Sequence, residues 1–252
     1  MSHTLWLMIE DISAHHTSPV ITVDALCKSF GTIQAVSNLT LSVEKGAFFG
    51  FLGPNGAGKT TTIRMLTGQL PPDSGTATVA GHGLDAPTDI KKAVGIVPEI
   101  TLLPSFLSAK EYLEFVCAVR NKDTDPVDQW LDFVGLSGSA HILCKDLSQG
   151  MKQKLSFSAA FIHNPSLVFL DEPFADVDPL MQNTLKTFLT SYIEKGGTIF
   201  LSTHILEIAE KLCSHIAIIN KGKIIQKGNL AHLLEGGKDL ETLFLDLVTD
   251  HE

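Results

Sequence analysis

The chain has 252 residues, 44% of them hydrophobic, with a formal net charge of −9 and an isoelectric point near 5.5. That is enough apolar material for one large domain or two small ones without covalent staples, and the acidic balance, with no run of lysines or arginines, argues against nucleic acid as the main partner. Four cysteines, Cys27, Cys117, Cys144 and Cys213, stand far apart with no Cys-x-x-Cys pair, which speaks against a zinc site or a disulfide framework and for small buried hydrophobes in a reducing compartment.

Residues 1–19 read as a polar extension ending in Ser18-Pro19. They contain His15 and His16, a weak metal-binding pattern, and an apolar patch at 5–9 without a basic leader, too short for a signal peptide. No apolar window reaches the length needed to span a bilayer. Strand patterns follow at 20–26 and through the alternating Val36, Leu39, Leu41 and Val43, with a turn at Lys45-Gly46, and are expected to pair antiparallel. Phe30, just after the first, is a core side chain or an adenine-stacking platform, and the pattern alone favours the core.

An apolar run at 47–52 then leads into Gly53-Pro54-Asn55-Gly56-Ala57-Gly58-Lys59-Thr60-Thr61, the phosphate-loop pattern of Gly, any four residues, Gly, Lys and Ser or Thr. A strand ahead, and a helix from 60 to 67 behind, supply the context that the motif needs. Its glycines let backbone N–H groups curl around an anion at a helix N-terminus. Lys59 then reaches the β- and γ-phosphates, and the Thr60 hydroxyl is placed to ligate Mg²⁺.

Beyond a turn at Pro71-Pro72-Asp73-Ser74-Gly75, a short strand is expected at 76–80 and an interior strand at 93–97, stopping at Pro98-Glu99. Residues 99–165 change character. Ser108-Ala109-Lys110-Glu111 is a capping box opening a helix with Leu113, Phe115, Val116 and Val119 as its apolar face; further helices are read at 127–134 and 149–161. The α/β pattern returns at 167–170 with Asp171-Glu172-Pro173, an apolar strand ending in carboxylates as in a phosphate-loop enzyme's metal site. Asp178-Pro179 caps a helix ending at Gly196-Gly197, and a strand at 198–202 leads to Thr203-His204 at an edge that faces the ligand crevice. His204 alone reads as a structural histidine; its company decides. Strands at 216–219 and 223–225 and short helices after Leu230 complete the chain.

The ordered set of phosphate loop, helical insert, Leu147-Ser148-Gln149-Gly150-Met151, Asp171-Glu172, Asp178 and His204 resembles the nucleotide-binding domain of ABC transporters, over nearly all of the chain after residue 20. Asn220-Lys221-Gly222-Lys223 lacks the aspartate of a GTPase base-reading motif, so guanine specificity is not supported. The resemblance implies an α/β phosphate-loop NTPase (RecA-like) core at 20–98 and 166–229, with an antiparallel β subdomain, a helical subdomain at 99–165 and a tail at 230–252. It makes Phe30 the adenine-stacking residue and Glu172 the base for the attacking water, with His204 holding the γ-phosphate and that water in line. It assigns Thr60, Glu99 and Asp171 to Mg²⁺. ATP would lie on residues 53–61 of one copy and meet Ser148 and Gly150 of another across an interface that Asp178 crosses, so that two cassettes clasp two ATP molecules.

The family usually has Leu-Ser-Gly-Gly-Gln where this chain has Gln149 and Met151, and a glutamine where it has Glu99. Gln149 is tolerable at negative φ, and a carboxylate at 99 is still an oxygen ligand. Together with the ending at 240–245, these departures resemble the export-type branch for drugs, antibiotics and polysaccharides. The implied role is an ATPase driving a separate membrane permease, held at the inner face of the cell membrane through it. Residues 100–107, apolar for a loop, either receive a helix of that partner or pack on their own helical subdomain. The competing role is a soluble ABC ATPase that acts as an assembly scaffold.

Overall fold

A computed structural model describes residues 19–249; the expected N-terminal extension, with His15 and His16, lies outside the described residues apart from Pro19. The chain runs through β1 (Pro19–Phe30), β2 (Ile33–Glu44), β3 (Phe48–Leu52), α1 (Lys59–Leu66), β4 (Ser74–Val79) and β5 (His82–Gly83). β1, β2, β4 and β5 form an antiparallel sheet in the order β2-β1-β4-β5. Its inward face comes from alternation: Ile21 pairs with Val43 and Val23 with Leu41, all buried, while Thr22 and Ser42 between them point outward. β1 runs four residues past the expected end at 26. Ala25 takes a positive φ of 50° inside a register shift between Val23 and Leu26, and the bulge changes the phase of the alternation beyond it.

The second sheet is built from β3, β6 (Val94–Val97), β7 (Leu167–Asp171), β8 (Thr198–Thr203), β9 (His215–Asn220) and β10 (Lys223–Asn229), in the order β10-β9-β3-β8-β7-β6. All its pairs are parallel except β9 with β10. Every residue of β3, β7 and β8 is buried, as expected of parallel strands covered on both faces, and this explains their unbroken apolar runs.

β6 corrects the expectation of an interior strand: it pairs with β7 alone and is an edge of the sheet. Its apolar character comes from a helix lying over it. Gly95 approaches the Ala160 carbonyl so closely that a Cβ there would sit 2.2 Å from the oxygen. Just before β6 lies α2 (Pro87–Ala93), for which the sequence reading has no counterpart; with seven residues and one buried side chain, Ile90, it is too short to display a period.

The helices after β6 are α3 (Ala109–Val119), α4 (Val127–Phe133) and α5 (Gln149–Phe161), followed after β7 by α6 (Pro179–Glu194) and after β8 by α7 (Leu206–Leu212); α8 (Leu230–Leu233) and α9 (Leu240–Thr249) end the described chain. The capping box of α3 is formed on both sides, Ser108 Oγ accepting from Glu111 N at 3.3 Å and Glu111 Oε2 from Ser108 N at 2.8 Å. Its buried residues are Ala109, Leu113 and Cys117; Phe115 and Val119, expected on the apolar face, are exposed. Cys117, Cys144 and Cys213 are buried as expected, and Cys27 is half-buried.

An aromatic cluster of Trp130 on α4, Phe157 and Phe161 on α5, and Phe188 and Tyr192 on α6 joins the helices before β7 to the one after it, with ring centroids 4.6 to 5.6 Å apart for most pairs. Tyr192 Oη, buried, donates to the Pro165 carbonyl at 2.7 Å. Edge-to-face geometry adds about 0.5–1.5 kcal/mol per pair to the burial itself. α5 is therefore anchored firmly at its C-terminal half, and its N-terminus is carried on that anchor.

Candidate functional site

β3 delivers the chain to Gly53, and α1 begins at Lys59, so the loop between them lies at the C-terminal edge of a parallel sheet. Gly53 is required by proximity: a Cβ there would stand 2.3 Å from the Ile219 carbonyl. Gly58 is required twice, by a φ of 109° and by the Ala35 carbonyl 2.4 Å from where a Cβ would be. Lys59 Nζ donates to the carbonyls of Gly53 at 2.7 Å and Pro54 at 3.2 Å, bracing the loop from within. Burial pushes the Lys59 ammonium below its ordinary pKa, while the carboxylates of Glu172, Asp171 and Glu99 pull the other way.

The acidic residues arrive on β7 and the segment after β6. Thr60 Oγ1 donates to Glu99 Oε2 at 3.1 Å. Asp171 ends β7 almost fully buried, and its Oδ1 has no hydrogen-bond partner. Burial pushes its carboxyl up; the neighbouring Ser202 and Thr60 hydroxyls recover part of this, though neither completes a bond to Oδ1. Among the described residues no group of three or more His, Cys, Asp or Glu is arranged to hold a metal by itself. A small hard cation shared with phosphate and water needs only one or two protein oxygens, and the orphaned Asp171 Oδ1 beside Thr60 and Glu99 fits that demand.

Glu172 follows with a φ of 49°, a region a non-glycine residue occupies only when its surroundings hold it there. What holds it comes from β8 and the residue just beyond. Glu172 N donates to the Ser202 carbonyl at 3.0 Å, Oε2 accepts from Thr203 Oγ1 at 3.1 Å, and Oε1 lies 2.8 Å from His204 Nδ1. The same Oε1 stands 4.0 Å from Lys59 Nζ. Both carboxylate oxygens are thus oriented at the mouth of a cleft of about 350 Å³ lined by residues of the phosphate loop together with Ala35, Glu99, Glu172, Ala175 and His204.

Of the site residues expected from sequence, Asn55, Gly56, Gly58, Lys59, Thr60, Thr61, Glu99, Glu172 and His204 line this cleft. Gly53, Pro54 and Ala57 complete the loop behind it, and Asp171 lies beneath. Phe30 stands apart at the end of β1, half exposed, with the Lys28 ammonium 5.9 Å from its ring centroid; the core reading of this residue is overturned.

Ser148, Gly150 and Asp178 do not line the cleft. Ser148 caps α5, its Oγ accepting from Met151 N at 3.3 Å, and Gln149 follows as the first helical residue, not at positive φ. Gly150 is pressed against the Asp176 carbonyl, 2.6 Å from where a Cβ would lie. Asp178 caps α6 through Met181 N at 2.9 Å and pairs with Lys154 of α5 at 3.0 Å. Sequence reasoning missed Ala35, Ala175, Thr203 and Lys154. Only Thr203 left a signal, as a hydroxyl at the end of a buried strand beside His204.

A mixed sheet with a phosphate loop at its C-terminal edge, facing a buried Asp-Glu pair and a histidine, defines a nucleotide-hydrolysing cassette. The ABC transporter family model matches residues 36–175, more than half of the chain, and the chain belongs to that family. The bacitracin transport ATP-binding protein BcrA of Bacillus licheniformis is 35% identical over 221 residues, 86% of this chain and 72% of that protein. The Nod factor export ATP-binding protein I of Cupriavidus metallidurans is 37% identical over 214 residues, 82% and 70% of the two chains. A solved ATP-binding subunit of an ABC transporter superposes with a TM-score of 0.85 at 29% identity, over 90% of this chain and 99% of that one. The protein is an ATP-binding, ATP-hydrolysing subunit of that family, similar to subunits of export systems.

Proposed function

We propose that two copies of this cassette close around two MgATP molecules and that the closing and parting drive a membrane permease in the direction of export. The observation that carries the catalytic part is the grip on Glu172, whose two oxygens are set by Thr203 and His204 facing the phosphate loop. Glu172 orients and deprotonates the attacking water, and His204 keeps that water in line with the γ-phosphate. Lys59 exchanges its bonds to the loop carbonyls for the β- and γ-phosphate oxygens, and the loop N–H groups cradle the rest. Thr60, Glu99 and Asp171 would hold Mg²⁺, which would supply positive charge to offset that developing on the phosphates.

The dimer is supported by what the cleft leaves out. Ser148 and Gly150 form a helix N-terminus suited to an anion, yet lie outside their own chain's phosphate site, so one chain carries half of each site. Phe30, exposed, suits the stacking of an adenine ring. We assign residues 20–98 and 166–229 to the α/β core, 99–165 to the helical subdomain and 230–252 to the tail. A solved ATP-binding cassette with the same fold, at 21% identity, is a dimer in a post-hydrolysis state with ADP and Pi.

No helix among the described residues is long and apolar enough to cross a membrane, so attachment to the inner face of the cell membrane would run through the permease. Its docking site is the segment after Glu99, where Ile100 is 61% exposed, Leu102 87% and Phe106 77%. Leu103 is partly buried against the core and offers less surface to that contact. Replacing Leu102 and Phe106 with serine is expected to release the cassette from membranes and spare ATP binding; continued membrane attachment would defeat the docking. The catalytic reading is tested with Glu172→Gln and MgATP: hydrolysis stops and a dimer retaining ATP elutes from gel filtration. A monomer without nucleotide under those conditions overturns it.

A further inference from the structure

Two buried polar side chains stand outside the cleft with no part in the mechanism above. Thr101 and Gln153 are 6% and 4% exposed, positions where an unpaired hydroxyl or amide is costly. They satisfy each other: Thr101 Oγ1 donates to Gln153 Oε1 at 2.6 Å. The other end of the amide, Gln153 Nε2, donates to the Pro173 carbonyl at 3.5 Å. Gln153 on α5 therefore bridges two distant pieces of chain, the Thr101 side chain two residues after Glu99 and the Pro173 backbone immediately after Glu172.

The second attachment falls where it matters. Glu172 sits at positive φ, so its carboxylate direction depends on how the backbone on either side is held. On the N-terminal side the Ser202 carbonyl holds it. On the C-terminal side Pro173 has no N–H, which leaves its carbonyl as its backbone hydrogen-bonding handle. Further along, Gln182 on α6 donates to the carbonyls of Phe174 at 3.1 Å and Val177 at 3.0 Å. Gln182 thus fixes the loop to α6, and Gln153 links it to the segment after Glu99.

We propose that Gln153 is a positioning residue for hydrolysis: the Thr101–Gln153–Pro173 relay sets the direction of the Glu172 carboxylate according to where the segment after Glu99 lies. The relay deepens the proposed function and rests on Glu172 acting as the base. Its 3.5 Å joint is at the long limit of a hydrogen bond, so a small displacement of Thr101 makes or breaks it. Contact of a partner with the exposed Leu102, next to Thr101, would reach Glu172 by this route without passing through the nucleotide.

The test uses the purified full chain with MgATP and compares wild type, Thr101→Val, Thr101→Ser, Gln153→Met, the Thr101→Val/Gln153→Met double variant and Glu172→Gln. Thr101→Val and Gln153→Met each lower kcat about ten-fold while KM for ATP stays within about two-fold, because orientation and not binding is lost. The double variant is no slower than the slower single one, since both remove the same relay. Thr101→Ser, which keeps the hydroxyl, turns over within about two-fold of wild type. The relay is overturned if Thr101→Val hydrolyses at the wild-type rate, if the two losses multiply, or if the loss lies in KM. Should Gln153→Met not fold, the valine and serine variants at 101 decide the matter between them. Residual hydrolysis by Glu172→Gln would instead refute Glu172 as the base, a failure distinct from a dead Glu172→Gln beside a normal Thr101→Val.

Discussion

Replacing Gly150 with alanine sets two effects against each other. Alanine in a helix is favoured over glycine by about 0.8–1 kcal/mol, and Gly150 is the second residue of α5. Its Cβ, however, would stand 2.6 Å from the Asp176 carbonyl, inside the closest approach that real Cβ atoms make. The obstacle is backbone, in a residue already at a φ of 58°, so about half an ångström must come from moving the N-terminus of α5 or the loop before α6. Overpacking of this kind costs about 1–3 kcal/mol, which exceeds the helical gain. The net loss of up to about 2 kcal/mol corresponds to a fall in melting temperature of roughly 3–8 °C for a chain of this size. Because the displaced atoms carry Ser148, ATP hydrolysis falls far more than stability, by about a hundred-fold. Gly138 is the control: nothing stands within 4 Å of a Cβ there, and alanine should leave both readings unchanged. Differential scanning calorimetry and steady-state hydrolysis on the two variants decide the question. A Gly150→Ala protein that melts and hydrolyses like wild type refutes the steric argument.

His163 is 6% exposed with neither ring nitrogen hydrogen-bonded; burial and the Arg120 charge push its pKa down to about 4, and contacts with the backbone of Val94 and Ala159, too poor to count as hydrogen bonds, recover only part. The folded value lies below the unfolded one of about 6.5, so stability is intact above pH 6.5 and falls by about 3 kcal/mol as pH drops towards 4. His163→Leu should flatten this part of a urea-stability profile, and an unchanged slope between pH 6.5 and 4 would sink the assignment. Trp130→Ala removes the centre of the aromatic cluster joining α4, α5 and α6, with a cost of about 3–5 kcal/mol and a drop of roughly 10 °C on thermal melting; a drop below about 3 °C would mean that the cluster repacks.

Legibility from sequence followed the range of the interactions involved. The phosphate loop was readable because its geometry is local: glycines, a lysine and a hydroxyl within nine consecutive residues. The capping box of α3 and the buried runs of β3, β7 and β8 were readable for the same reason. α2 was not, because one buried isoleucine makes no period. β6 was misplaced because an apolar run reports that a strand's faces are covered, and not whether both of its edges are hydrogen-bonded to neighbours. Phe30 could be moved from core to surface only by knowing that β1 continues past the bulge at Ala25. Thr203, Ala35 and Lys154 act through contacts with residues far along the chain, and no spacing encodes those.

Gly58 lies against Ala35 of one sheet and Gly53 against Ile219 of the other, while Gly222 accepts from Ser37 N at 2.8 Å and donates to the Ala57 carbonyl at 2.9 Å. The anion cradle is therefore the mortar between two separately built walls. Any tilt of one wall on the other must deform the cradle, and by reciprocity whatever fills the cradle must stiffen the joint. Amide deuteration at Ser37 and Gly222 should accordingly slow when nucleotide is added, although both amides are already bonded to protein carbonyls.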